Sequence, residues 1–60
     1  MTTKSLTELG ELARSEKLAY KKCCSYVSET SNDDLKKTLG NLANGHKHRY
    51  ETLCAYLDRN

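Results

Sequence analysis

Sixty residues without proline, phenylalanine or tryptophan leave leucine and four tyrosines to supply the large apolar anchors, and a chain this short buries only about 60% of its unfolded surface. The formal net charge is +2, and ten basic residues are interspersed with eight acids, which disfavours the concentrated basic patch of a nucleic-acid binder. The segment MTTKSLTELGEL lacks the apolar run of a signal peptide, and nothing approaches the roughly 20 apolar residues of a membrane span. Three cysteines without CxxC spacing do not make a disulfide scaffold. The expectation is a cytoplasmic, all-α protein whose reduced thiols pack as small hydrophobes.

The first element is announced by Ser5-Leu6-Thr7-Glu8, a capping box in which the serine hydroxyl accepts from the backbone and the glutamate reaches back. Apolar positions 6, 9, 13, 20, 23 and 27 follow at spacings that return to one helix face, and Leu12, Ala19 and Tyr26 widen that stripe on one flank. This pattern predicts a helix over about residues 5–29, weakened at Gly10 by about 1 kcal/mol relative to alanine. SETSNDD, residues 28–34, then breaks it. Its side chains favour local bonds to the backbone, and its acids suit the start of a new helix, with Ser31 or Asn32 as cap.

A turn at 30–33 leads to a second predicted helix over about 33–58. Its stripe holds Leu35, Leu39, Leu42, His46, Tyr50, Leu53 and Leu57, flanked by Ala43 and Tyr56, with Gly40 and Gly45 as weak points. Two amphipathic helices of similar length joined by a short turn make an antiparallel hairpin, here a single domain over residues 1–60. One layer of helices leaves its apolar stripe wet. A homodimer is therefore expected, two hairpins forming a four-helix bundle around Leu9, Ala13, Tyr20, Cys23, Val27, Leu39, Leu42, Tyr50, Leu53 and Leu57.

Each stripe contains a polar residue at its centre, Glu16 in the first helix and His46 in the second. They lie fifteen residues before and after Ser31, so equal rise in the two helices places them at one height. A carboxylate removed from water needs partners, and His46 or Arg49 can supply them. A two-fold axis through this layer brings Tyr20 level with Tyr50 of a second chain and gathers two glutamates and two histidines. The same axis sets Cys23 level with Cys54 across the dimer, where a thiol pair or an interchain disulfide is open.

Glu16-x-x-Ala19 followed by Leu35-x-x-x-Leu39-x-x-Leu42-Ala43 resembles the ferritin-like superfamily, closest to rubrerythrin-like and spore coat F-like hairpins. The resemblance runs from about Leu12 to Leu57. It implies a ferritin-like four-helix bundle in which the first helix supplies a glutamate and the second a Glu-x-x-His pair, two hairpins enclosing two iron or manganese ions. Glu16 matches the first glutamate, but the second pair falls on His46 and Arg49. His48 is no substitute, because it lies two residues from His46 and points about 200° around the helix. One carboxylate per hairpin and a nearby guanidinium do not make a di-iron oxidase, peroxidase or iron store.

Three functions follow, none of them enzymatic. The first is a small assembly or interaction module with an altered metal site, its polar layer fixing the register of the dimer. The second is a dimeric metal binder that uses Glu16 and His46 as ligands for zinc or another divalent ion. The third is a regulatory adaptor offering one hairpin face to a larger protein or to nucleic acid. There is no glycine-rich phosphate cradle and no serine-histidine-acid set.

Overall fold

The computed structural model describes residues 1–59 and contains two helices among them: α1, Thr3–Glu29, and α2, Asp33–Asp58. They lie antiparallel as a rod of 45 × 13 × 11 Å. Its long dimension follows from a rise of about 1.5 Å per residue over helices of 27 and 26 residues.

Helix α1 starts earlier than the capping box at Ser5 places it. Thr2 is the cap: its Oγ1 accepts from the Ser5 amide at 3.1 Å and donates to the Ser5 hydroxyl at 2.9 Å. Ser5 is thus a first-turn residue that supports the cap. The earlier start also adds the Leu6 amide to Thr2 carbonyl bond of 3.0 Å, so Thr2 does one turn earlier the work expected of Ser5.

The connection is three residues, Thr30 to Asn32. The Thr30 amide closes α1 on the Tyr26 carbonyl at 3.0 Å, and the Asn32 amide donates to Thr30 Oγ1 at 3.2 Å. Asn32 then caps α2, its Oδ1 accepting from the Leu35 amide at 2.9 Å. Asp33 and Asp34 occupy the first turn, where the unpaired amides favour negative charge.

What the helices enclose is small. Ala13, Cys23 and Ala43 are the buried hydrophobic residues, and the long side chains of the seam are only half-buried. Small residues at the contact let two helices approach closely, and a two-helix layer has no third element to close over the leucines. Leu12, Leu18, Tyr26, Leu35, Leu42 and Tyr56 are all exposed.

The two helices also carry a repeat at a spacing of 30 residues. Leu9, Gly10, Leu12, Ala13, Lys17, Tyr20, Cys24 and Tyr26 recur as Leu39, Gly40, Leu42, Ala43, Lys47, Tyr50, Cys54 and Tyr56. Antiparallel neighbours are related by a two-fold axis perpendicular to the plane they share. The 30-residue equivalence puts this approximate axis through the layer where Glu16 meets His46.

The turn and the helix interiors yield direct tests. Asn32→Ala, which removes the cap of α2, is expected to cost about 1 kcal/mol. Gly40→Ala should stabilise by about as much: a Cβ there meets nothing within 4 Å, and alanine is favoured over glycine inside a helix by about 0.8–1.0 kcal/mol. Chemical denaturation of the two variants beside the parent chain checks both signs.

Candidate functional site

The site is the polar layer at mid-height. Glu16 projects from α1 toward α2, where His46 and Arg49, three residues apart, stand on neighbouring turns of one face. Arg49 Nε donates to Glu16 Oε2 at 2.8 Å. His46 Nδ1 lies 3.1 Å from the same oxygen, and Arg49 Nη2 lies 3.0 Å from His46 Nδ1. The three side chains therefore form a closed triangle.

The imidazole nitrogen in that triangle has two exclusive roles. Carrying a proton, Nδ1 donates to Glu16; without one, it accepts from Arg49, which has donors only. The Glu16 and His46 side chains are about one-fifth exposed (20% and 22%), whereas Arg49 is 55% exposed. The layer is thus sheltered rather than sealed. The hydrogen bond from His46 holds the Glu16 carboxyl below the ordinary carboxylate range; partial burial opposes this, and the bond and charge of Arg49 reinforce it. Gly45 makes room for the arrangement, since a Cβ at that position would come within 3.2 Å of Arg49 Nη1.

The two faces of the hairpin beside this layer differ. On one, Leu12, Glu16, His48, Arg49, Thr52 and Leu53 border a shallow cleft of about 430 Å³. On the other, Lys17, Lys21, Lys47 and Glu51 surround Tyr20 and Tyr50, and Lys17 Nζ sits 5.9 Å from the centre of the Tyr50 ring, within the range of a cation–π contact. The thiols four residues on, Cys24 for Tyr20 and Cys54 for Tyr50, push both phenols above their ordinary range, through hydrogen bonding first and then through charge.

The structure brings Glu16 and His46 together and adds Arg49 as the closest partner of the carboxylate. Of the ten residues expected at a dimer core, nine are buried or half-buried along the sides of α1 and α2 that face each other within one chain. Leu42 instead lies exposed on the flank. The cysteines are unpaired. Cys23 is buried in the seam, so joining it to Cys54 of a second chain requires the hairpin to open.

As a metal centre the layer fits poorly. Among the described residues no three His, Cys, Asp or Glu side chains are grouped to hold an ion. The guanidinium of Arg49 occupies the carboxylate oxygen and approaches the imidazole nitrogen that would serve as ligands, so a cation would have to displace a cation. No helix among the described residues is long and apolar enough to cross a membrane. No family model, curated protein or solved structure matches this chain. The likeness to ferritin-like hairpins therefore rests on Glu16-x-x-Ala19 and the leucine and alanine spacing of α2 alone.

The depressed Glu16 carboxyl gives a signed pH dependence. Its contribution to stability is fully present above the usual glutamate range, near pH 4.3, and is lost as pH falls through its lowered folded value. Thermal melts followed by circular dichroism should show the parent chain losing more of its midpoint between pH 7 and pH 3 than Glu16→Gln does. At pH 7, Glu16→Leu should leave the midpoint unchanged or raise it, because Arg49 remains open to water and the leucine extends the apolar seam.

Proposed function

We propose that this chain is a non-enzymatic assembly module, half of a four-helix bundle that a second copy completes. One observation carries the reading. The chain exposes 4652 Å² of surface, whereas a compact monomer of its 6.8 kDa exposes about 3,950 Å². The excess of about 700 Å² is close to the ~800 Å² that each partner contributes to a standard interface.

The chemistry of the polar layer supports the same reading. A carboxylate satisfied by a histidine and an arginine is a register device, since only one alignment of α1 on α2 closes the triangle. It presents no open coordination position, no activated nucleophile and no acid–base pair with room for a substrate between them. The layer orders a helical surface and leaves that surface for a partner.

Sedimentation equilibrium over a range of concentrations tests the proposal. The expected result is a reversible dimer of twice 6.8 kDa, with a melting midpoint that rises with concentration because dimerisation draws on the folded state. A chain that stays fully helical and monomeric at every concentration would overturn it.

A further inference from the structure

The two faces of the hairpin are not equal candidates for the second copy, and the repeat separates them. The Leu12–Ala19–Tyr26 line of α1 and the Leu42–Arg49–Tyr56 line of α2 are equivalent at the 30-residue spacing. Residues seven apart lie nearly above one another on a helix. An approximate two-fold axis perpendicular to the pair keeps equivalent residues on one side, so both lines share a face. Two clefts bear this out: Leu12 borders one together with Arg49 and Leu53, and Tyr26 borders another together with Leu35 and Leu39.

On this face Leu12, Leu42, Tyr26 and Tyr56 are each about half exposed or more, at 54%, 50%, 56% and 51%, and Leu35 adds 45%. The charges nearest its centre, Glu16 and Arg49, already neutralise each other at 2.8 Å. The opposite face instead carries Lys17, Lys21 and Lys47 against Glu51 around its tyrosines. Two copies meeting through the lysine face would bring six ammonium groups together, and like charges forced together without water are costly.

We infer that the face bearing Leu12, Tyr26, Leu42 and Tyr56 is the docking surface for a second copy of this chain. The inference rests on the assembly reading above and names its interface. The approximate two-fold makes the face nearly self-matching: its two halves present the same leucine and tyrosine at equivalent points. A copy laid against it meets apolar side chains along both helices, the Glu16–Arg49 pair is covered as a neutral pair, and Arg59, 5.5 Å from the centre of the Tyr56 ring, lies at the end of the face.

The test compares substitutions on the two faces in the full-length chain. Leu12→Glu with Leu42→Glu should weaken dimerisation at least tenfold by sedimentation, while Lys17→Glu with Lys47→Glu should leave it as tight as in the parent. Because the leucine variant could lose its helices, a second measurement stands beside it. A photo-crosslinking phenylalanine analogue replacing Tyr26 should yield covalent dimers on irradiation, and the same analogue replacing Leu18 should not. A parent chain that is monomeric overturns both the assembly reading and the interface. A dimer indifferent to the leucine pair, or crosslinked from position 18 but not 26, overturns the interface alone.

Discussion

Two helices can form a seam but cannot form an enclosed core, and every other feature of this chain answers to that limit. The contact between α1 and α2 is close because Ala13, Ala43 and Cys23 occupy it. Closeness brings the backbones together but buries little area, and hydrophobic stabilisation scales with area removed from water. The leucines that would supply that area sit on the shoulders of the seam, half in and half out. The apolar flank is therefore a direct consequence of a one-layer architecture.

The polar layer fits into this economy because it is sheltered only on one side. A carboxylate in a sealed core would demand several hydrogen bonds at fixed geometry. Glu16, one-fifth exposed, needs two, and Arg49 reaches it from the next turn beyond His46. The arginine's outer half stays in water while its Nε closes on the carboxylate, as long amphipathic side chains do. Gly45 is part of the same arrangement, since a Cβ there would come within 3.2 Å of the guanidinium and make it shift. Structural order, charge neutrality and an unobstructed apolar flank follow from these four residues together.

Much of this was legible in the sequence. The helices and the turn announce themselves through spacing and through the SETSNDD break, and counting outward from Ser31 is enough to set Glu16 beside His46. The beginning of α1 was less legible because Thr2 and Ser5 both carry hydroxyls that can cap, and the helix takes the earlier one, gaining backbone bonds. Leu42 and Ala43 show the second difficulty. Adjacent on the helix and both apolar, they are told apart only by how near the partner helix comes: the smaller fills the seam and the larger is turned to the flank. The 30-residue repeat is present in the sequence itself, but periodicity within each helix conceals it, because a stripe of leucines and alanines resembles itself at many offsets.

The position of the two-fold axis explains where the two halves of the chain had to part company. Away from the axis, equivalent residues separate along the rod, and leucine or cysteine can occur in both halves without meeting its twin. On the axis, position 16 faces its own counterpart. Two glutamates there would repel each other, so a symmetric chain cannot set an acid against a base at that height. Fusing the halves into one polypeptide removes the obligation to be symmetric: one helix can carry the acid and the other the imidazole and guanidinium. A mixed cluster of this kind is available to a hairpin and closed to a pair of identical single helices, which gives the tandem arrangement a physical reason to exist.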